Sequence, residues 1–359
     1  MAQPCGLRLE VVRPWNEIAT KNFFCDIGTH MKRHIFTRLA TTIAATAFFI
    51  ASNPAQAVNT PTFTFPENNA LARTLHLPIY VWARPNVQPR AIIVALHGGC
   101  LHGRSYKALG EAMAPKDIMV VSMDLRGYGK WYHNGYGSKR DQTFDYVQTK
   151  EDLVRIVTEL KHRYPEVPIC FIGESLGANL SLHMVGGYPH LVDGAILVST
   201  YSAPKIFLHP HMPLSAIEFM AKPFGKLTME PYIKSRLSDT PDFSIAQIND
   251  PRGRDHQTLK EMLQSMSLNE KGKFYATKIP KETWVLMMHG QCDQLCDLGA
   301  AMKLFKKIPT HKKTFVLIPG RGHLLVETPE LRPEVLEVLN KWMSTHSNHP
   351  LTPNGGVGA

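Results

Sequence analysis

The stretch from residue 169 to residue 177 constrains the fold of this chain more than any other. It reads Ile-Cys-Phe-Ile-Gly-Glu-Ser-Leu-Gly. The apolar run over 167–172 predicts a buried parallel strand, and residues 178–185 predict a helix soon after it. Ser175 is therefore expected at a sharp turn from strand to helix, the arrangement called a nucleophile elbow.

Two glycines, Gly173 and Gly177, flank Ser175 in this turn. A tightly packed strand-to-helix turn cannot accept side chains at those two positions. The Oγ atom of Ser175 is then expected to stand exposed above the sheet. The N–H of Leu176 would point, with the helix dipole, toward an oxyanion that forms beside the serine. The alternative is a solvated turn, because a bare Gly-x-Ser-x-Gly pattern contains only common residues.

A second glycine turn follows the apolar run over 90–96, which ends in His97-Gly98-Gly99. Ligands of open α/β folds bind at the carboxyl ends of the parallel strands, and this turn presents bare backbone there. The Gly99 N–H is the candidate for a second oxyanion donor, with an ordinary turn glycine as the alternative. His97 is interpreted as a structural residue that bonds the loop.

Strand-like and helix-like segments alternate along most of the chain. This cadence predicts an α/β fold with a mostly parallel sheet and helices on both faces. Pro78 places the strand over 74–83 at an edge of the sheet. The predicted strands cover 62–65, 74–83, 90–96, 118–123, 167–172, 194–200, 284–288 and 314–318, and the predicted helices cover 105–114, 151–164, 178–185, 298–308 and 330–344.

The alternation stops between residues 201 and 280. This segment contains many prolines and no convincing strand, so it predicts a helical cap inserted into a core formed by 58–200 and 281–346. Its apolar residues are candidates for an acyl-binding slot, although they could instead only pack the cap onto the core. The foremost candidates are Phe207, Met212, Phe219 and Phe224, and the others are Ile217, Met220 and Met229.

Three polar residues follow three predicted parallel strands in the order Ser175, Asp293, His323, which is the chain order of a hydrolase triad. His323 would take the proton of Ser175 and return it to the leaving group, and Asp293 would orient the imidazole. Asp297 is the rival acid. Asp293 is preferred because it follows the strand directly, whereas Asp297 lies where a helix needs an N-cap.

The glycine turn over 124–129 is interpreted as structural, with Asp124 and Arg126 forming an ion pair or a loop clasp. With this turn included, the motifs resemble those of α/β-hydrolase fold serine hydrolases of the monoacylglycerol lipase and lysophospholipase type. The similarity covers about residues 75 to 345. The motifs are His97-Gly98-Gly99, Asp124-Leu125-Arg126-Gly127-Tyr128-Gly129, Gly173-Glu174-Ser175-Leu176-Gly177, His289-Gly290 through Asp293, and Gly322-His323.

The resemblance implies a serine esterase that cleaves carboxylic esters of acyl chains, such as monoacylglycerols or lysophospholipids, under a mobile lid. It implies no cofactor, and the spacing of the cysteines and histidines predicts no metal site. Thioester or amide cleavage, as in a thioesterase or an aminopeptidase, is the alternative within the same fold. A binding module without catalytic activity is a third reading, which an intact Ser175, Asp293 and His323 disfavour.

The N-terminal residues predict export. A basic start at Met31-Lys32-Arg33-His34, an apolar core over 39–51 and a small-x-small site at 55–57 form the pattern of a secretory signal peptide cleaved after Ala57. We expect translation to start at Met31 and the protein to be periplasmic or secreted. N-terminal sequencing of the natural product is the test, and a permanent membrane anchor is the alternative. The tail over 347–359 is expected to be disordered.

Charge and cysteine content limit the partners. Residues 1–57 hold six of the 40 Lys and Arg and three of the 30 Asp and Glu, so the rest of the chain has 34 against 27 and a net charge of +7. No basic block interleaved with aromatic residues indicates nucleic-acid binding, whereas transient contact with an anionic lipid surface is compatible with this charge. Cys292 and Cys296 are candidates for a disulfide, and no second pair completes a zinc site.

Overall fold

The structure is a computed structural model in which the candidate site lies at one edge of a central sheet. The described residues are 9–11, 69–133, 136–200, 211, 214–215, 217–218, 225–233, 237–238, 246 and 249–347. The predicted leader over 31–57, the predicted strand over 62–65 and the tail after 347 lie outside them. None of the described helices is long and apolar enough to cross a membrane.

An eight-stranded sheet forms the centre of the described part of the chain, with the strand order β1-β10-β9-β6-β5-β3-β4-β2. All neighbours pair in parallel except β2 and β4, so the sheet confirms the mostly parallel α/β-hydrolase fold. The strands are β1 (Leu9–Val11), β2 (Ile79–Trp82), β3 (Ala91–Leu96), β4 (Ile118–Met123), β5 (Ile169–Glu174), β6 (Gly194–Val198), β9 (Trp284–Gly290) and β10 (Lys313–Ile318). The short β1, where the sequence predicted no element, pairs with β10.

Helices cover both faces of the sheet. They are α1 (Ala70–Leu75), α2 (Lys107–Met113), α3 (Gly129–His133), α4 (Tyr146–Arg163), α5 (Leu176–Gly187), α6 (Glu230–Ile233), α7 (Leu259–Ala276), α8 (Leu298–Lys307) and α9 (Pro333–Thr345). Short 3₁₀ helices cover Gly103–Tyr106, Ala114–Lys116 and Lys139–Gln142. Helix α4 begins five residues before the predicted position, because the Asp145 side chain accepts the Gln148 N–H and caps it there.

The alternation of side chains along β3 divides the core into two layers. Ile92, Val94 and Leu96 pack on one side of the sheet, with residues of α4, α5 and α8, whereas Ala91 and Ile93 pack on the other, with residues of α2 and α9. Every residue of β3 is buried because helices cover both faces of a parallel sheet. This explains why β3, β4, β5 and β6 appear in the sequence as continuous apolar runs.

The edge strand predicted over 74–83 is shorter than expected. Strand β2 begins at Ile79 rather than Thr74, because residues 70–75 form helix α1. The Asn69 side chain caps this helix by accepting the Ala72 N–H at 2.7 Å, and His76 ends it in the left-handed conformation. The predicted edge position is correct, and Pro78 directly precedes the strand.

The segment predicted as a cap contains two short strands that the sequence analysis did not anticipate. Strands β7 (Lys226–Thr228) and β8 (His256–Thr258) pair antiparallel, and three residues are too few to produce a visible alternation. Helix α7 follows, with Thr258 and Glu261 forming a capping box, and packs against α5. The candidates Phe207, Met212, Phe219, Met220 and Phe224 lie outside the described residues. Ile217 is 58% exposed, and Met229 is buried.

Candidate active site

Ser175 occupies a strained turn between β5 and α5. Its backbone has φ 55° and ψ −114°, a region that side-chain-bearing residues rarely adopt. The Ser175 N–H donates to the Val198 carbonyl of the neighbouring strand at 2.9 Å. Strain of this kind costs roughly 1–3 kcal/mol and persists only where the surroundings enforce it. The sequence prediction therefore places Ser175 correctly at the strand-to-helix turn.

The two elbow glycines are required by close backbone contacts. A Cβ atom on Gly173 would lie 2.2 Å from the Gly177 carbonyl oxygen, and one on Gly177 would lie 1.8 Å from the Leu96 carbonyl oxygen. Both distances are far below van der Waals contact, and the obstructing atoms belong to the backbone. Helix α5 can therefore pack this tightly against β3 and β5 only without side chains at these positions.

The substitution Gly177→Ala is expected to lower the free energy of unfolding by at least about 3 kcal/mol, because β3 or α5 must move to admit the new methyl group. Gly272→Ala in helix α7 is the matched control. A Cβ atom there would meet Asn179 only at 3.5 Å, so unfolding stability should stay constant or rise by up to about 1 kcal/mol. Urea unfolding of both variants measures the difference, and equal midpoints would contradict the steric argument.

The structure brings His323 and Asp293 into direct contact. The Nδ1 atom of His323 lies 2.9 Å from Oδ2 of Asp293, and both side chains are almost fully buried. The other carboxylate oxygen of Asp293 accepts the N–H groups of Leu295 and Cys296 at 2.8 and 2.9 Å. Those two bonds fix the carboxylate, so Oδ2 is directed at the imidazole.

The backbone of His323 is also held. Ser199 donates its Oγ hydrogen to the His323 carbonyl oxygen at 2.6 Å, which ties the histidine loop to the end of β6. Ser199 has φ 44°, a second strained residue next to the elbow. The imidazole is therefore oriented from both its ring and its backbone.

Electrostatics favour a charged imidazole beside Asp293. Burial alone would lower the pKa of His323, but the Asp293 carboxylate and the Cys296 sulfur raise it well above its ordinary value. Burial would likewise raise the pKa of Asp293, yet the charge and hydrogen bond of His323 lower it. The pair can therefore stabilise a proton on the imidazole.

A pocket with a free volume of about 100 Å³ contacts both Ser175 and His323. Gly99 and Leu176, the two predicted oxyanion donors, line the same pocket. A Cβ atom on Gly99 would meet nothing within 4 Å, so this residue borders open space. The remaining lining is mostly apolar and comprises Gly98, Cys100, Leu101, Tyr128, Met229, Ile233, Leu237, Gln257, Ser265, Leu295 and Leu324.

His97 holds the loop that carries Gly99. Its Nδ1 donates to the Gly98 carbonyl at 2.8 Å, and its Nε2 accepts the Leu125 N–H at 3.1 Å. Both contacts fit one neutral tautomer, and burial lowers the pKa of His97 to about 3. The structural interpretation of His97 agrees with these contacts.

Comparison with known proteins assigns the chain to a family. A family model described as serine aminopeptidase S33 matches residues 87–330, which is well over half of the chain. The chain belongs to the S33 serine aminopeptidase family. The matched range includes the elbow, Asp293 and His323.

Several proteins with sequences similar to this chain are named as lipases. The chain is 27% identical to the monoglyceride lipase of Rattus norvegicus over 271 residues, which cover 73% of this chain and 84% of that protein. It is 26% identical to a monoglyceride lipase homolog of Monkeypox virus, with coverage of 72% and 91%. The S33 member is therefore related to serine hydrolases of the monoglyceride lipase and esterase type.

A solved structure shares the fold of this S33 member. The monoglyceride lipase of Saccharomyces cerevisiae, a soluble variant in complex with a substrate analog, superimposes with a TM-score of 0.64 at 16% identity. That match covers 75% of this chain and 92% of the other. At such identity the comparison demonstrates the fold alone.

The two candidate acids of the sequence analysis, Asp293 and Asp297, occupy different positions in the structure. Asp297 accepts the Ala300 N–H at 2.8 Å and caps α8, as its spacing indicated. Asp293 contacts His323 instead. Cys292 and Cys296 are not joined, so the disulfide considered from the sequence is absent from the structure. Cys296 is completely buried against His323, whereas Cys292 is only partly buried.

The turn over 124–129 contains two separate polar clusters rather than one ion pair. Asp124 accepts the N–H groups of Gly103 and Lys130 at 2.8 and 2.9 Å. Arg126 pairs with Asp141 and, at 2.7 Å, with the buried Asp152. Each residue clasps a different loop, so the contacts match the predicted loop clasp and not the alternative of an ion pair between Asp124 and Arg126.

One group of residues among those described has donor atoms close enough to hold a metal ion: Asp293, Cys296 and His323, within 4.8 Å of one another. An ion bound there would replace the hydrogen bond between His323 and Asp293. The same atoms already have mutual partners, so the group functions as a hydrogen-bonded cluster.

Two buried acids near the elbow escaped the sequence analysis. Glu174 precedes Ser175, and Glu327 follows His323 by four residues, and both are completely buried. A charged residue inside the elbow motif, at the end of a strand predicted to be buried, was the available signal. The pocket residues Ile233, Leu237, Leu295 and Leu324 were also missed, because the segments that carry them approach the site only in the folded chain.

Proposed function

We propose that this protein cleaves carboxylic esters of acyl chains by a Ser175-His323-Asp293 acyl-enzyme mechanism. The observation that carries the proposal is the position of Ser175 at a strained elbow, in one pocket with a histidine that is hydrogen-bonded to a buried aspartate. This arrangement is the one that activates a serine hydroxyl as a nucleophile.

The proposed reaction has two halves. Ser175 Oγ attacks the acyl carbonyl carbon while His323 Nε2 accepts its proton, and the Gly99 and Leu176 N–H groups stabilise the oxyanion. Collapse of this intermediate breaks the ester bond, and His323 gives the proton to the leaving alcohol. Water then attacks the acyl-enzyme by the same steps. Asp293 orients the imidazole and stabilises its charge throughout.

The pocket lining favours an ester of an acyl chain over a peptide. Leu101, Met229, Ile233, Leu237 and Leu324 present hydrocarbon surface, which suits an alkyl chain. Among the described residues that line this pocket none carries a carboxylate, and an aminopeptidase would need one to bind the free amine of its substrate. The names of the monoglyceride lipase relatives support monoacylglycerols and similar esters as the first substrates to try.

Intact-mass analysis after exposure to a fluorophosphonate tests the proposal. We expect one adduct on the wild-type protein and none on the Ser175→Ala variant, because only an activated serine reacts. Ser265→Ala is the matched control, since Ser265 lines the same pocket but its Oγ lies 2.9 Å from the Tyr146 hydroxyl. Labelling of the Ser175→Ala variant, or no labelling of the wild type, would contradict the assignment.

A further inference from the structure

Two completely buried carboxylates lie behind the candidate nucleophile. Glu174 is the residue before Ser175, and Glu327 lies in the loop that follows His323. Burying one ionised carboxylate is costly unless it is paired or hydrogen-bonded, and burying two beside each other is costlier still. The proposed reaction uses neither group, so their presence requires a separate explanation.

Glu174 binds the backbone of the histidine loop. Its Oε1 accepts the Leu325 N–H at 2.6 Å, and its Oε2 accepts the Val326 and Glu327 N–H groups at 3.2 and 2.8 Å. These three donors lie two to four residues after His323 in the chain. Glu174 therefore fixes the distance between the serine turn and the loop that supplies the base.

Glu327 connects the same loop to the first glycine turn. Its Oε2 accepts the Gly98 N–H at 2.8 Å, and Gly98 directly precedes the candidate oxyanion donor Gly99. A Cβ atom on Gly98 would lie only 3.1 Å from this oxygen and 3.6 Å from Cβ of Ser175, so the three segments pack closely. The two acids thus join the nucleophile, the base and one oxyanion donor through hydrogen bonds.

The surroundings of the pair favour one negative charge rather than two. Three N–H donors stabilise an ionised Glu174, whereas Glu327 accepts one N–H and its Oε1 has no hydrogen-bond partner among the described residues. The other titratable groups that interact with the pair are His323 and Tyr106. The Tyr106 hydroxyl donates to the Leu96 carbonyl at 2.9 Å and remains neutral, because burial raises its pKa.

The pKa directions agree with this assignment. Burial raises the pKa of Glu174 to about 7 despite its three N–H donors. Burial and the adjacent charge of Glu174 together raise the pKa of Glu327 well above its ordinary value. Both carboxyl groups are fully buried, and Glu174 is bonded to the backbone of Glu327, so two negative charges would repel each other without water to screen them. The pair therefore retains a proton at neutral pH, and Glu327, which accepts only one N–H, is the better site for it.

We propose that Glu174 and Glu327 together hold a single proton, on Glu327, and act as positioning residues, and that loss of this proton at alkaline pH disables the site. The inference deepens the proposed function and rests on it. When hydroxide removes the proton, the second buried charge repels the first. The segment bearing Glu327 and the Gly98 turn then separate from the elbow, and Gly99 leaves the position in which it can stabilise an oxyanion.

The substitution Glu327→Gln tests the alkaline part of the proposal. Glutamine can still accept the Gly98 N–H through its carbonyl oxygen, but it stays neutral at every pH. We expect the alkaline limb of kcat/KM to move up by about one pH unit or more, whereas the acid limb, to which His323 and Glu174 both contribute, stays in place. Release of acid from a short-chain glycerol ester, followed by titration between about pH 6 and about pH 10, measures both limbs.

Two further variants separate positioning from general damage. Glu330→Gln changes an exposed acid three residues away and should keep the wild-type profile. Glu174→Gln places an amide N–H₂ against backbone donors, so kcat/KM should fall at least about a hundredfold across the whole range. An alkaline limb that is the same in the wild type and in Glu327→Gln would overturn the proposal.

Thermal unfolding gives a readout that does not depend on activity. A carboxyl whose folded-state pKa is raised contributes stability below its unfolded pKa and loses it as the pH rises through the folded value. The melting temperature of Glu327→Gln relative to the wild type should therefore increase from about pH 5 to about pH 9. A difference in melting temperature that is the same at every pH would contradict the proposal that Glu327 holds a proton. If neither the wild type nor any variant cleaves esters, the proposed function is wrong. The melting temperatures still decide then whether Glu327 holds a proton in the folded protein.

Discussion

Replacing Ser175 by alanine is expected to lower kcat/KM for acyl esters by a factor of about 10⁴ to 10⁶. The substitution removes the only protein atom that forms a bond to the acyl group in the proposed mechanism. His323 and the oxyanion donors would remain, so residual hydrolysis by water accounts for the finite range. Initial rates on a glycerol ester, with purified wild-type and variant protein side by side, measure the loss.

The Ser175→Ala variant should remain folded, which makes the loss of rate interpretable. Alanine occupies the same strained backbone position, and the hydrogen bond that Ser175 makes to Val198 uses its main-chain N–H. The melting temperature should stay within a few degrees of the wild type. Ser265→Ala, in the same pocket, should keep most of the activity. A Ser175→Ala variant that hydrolyses esters at a comparable rate would show that the nucleophile lies elsewhere.

The substitution Asp293→Asn is expected to lower kcat by about 10⁴-fold with little change in KM. The Leu295 and Cys296 N–H groups hold Oδ1, so an asparagine would keep its carbonyl oxygen there. Its amide nitrogen would then face Nδ1 of His323 as a second donor. The imidazole would have to place its proton on Nε2, which removes the base that Ser175 needs. Single-turnover kinetics with an activated ester measure this step.

Asp297→Asn is the matched control for Asp293→Asn. Asparagine is as good an N-cap as aspartate, so the bond to the Ala300 N–H survives, and both rate and stability should change little. The two variants differ from the wild type by the same chemical change four positions apart. A large loss of rate in Asp297→Asn, with Asp293→Asn near the wild-type rate, would overturn the assignment of the acid.

The elements that were predictable from the sequence are those fixed by local patterns. Strand β4 has the predicted bounds, and β5, β6, β9 and β10 differ from prediction by only a few residues, because strands buried on both faces are continuous apolar runs. The elbow was predictable for a similar reason. Only glycine tolerates the backbone contacts at Gly173 and Gly177, so the requirement appears in the sequence itself.

The sequence predictions differ from the structure where an element is short, or where the residues that stabilise it are distant in the chain. The sequence predicts no helix over 70–75 and places only the last two of these residues in a strand, since a helix of six residues leaves no strong pattern. Strands β7 and β8 each have three residues, and pairing across 30 positions of sequence stabilises them rather than their own composition. The specific partner of Arg126 was not predictable from the sequence, because Asp152 lies on α4.

By itself the sequence determined the parallel α/β fold, the turn that bears Ser175, and the candidates Asp293 and His323, since apolar periodicity and glycine requirements are local properties of the chain. Only the tertiary structure decided which acid contacts the imidazole, which loops line the pocket, and how Glu174 and Glu327 meet behind the elbow. Those outcomes depend on distances between segments far apart in the chain, and such distances are set by the packing of the whole sheet.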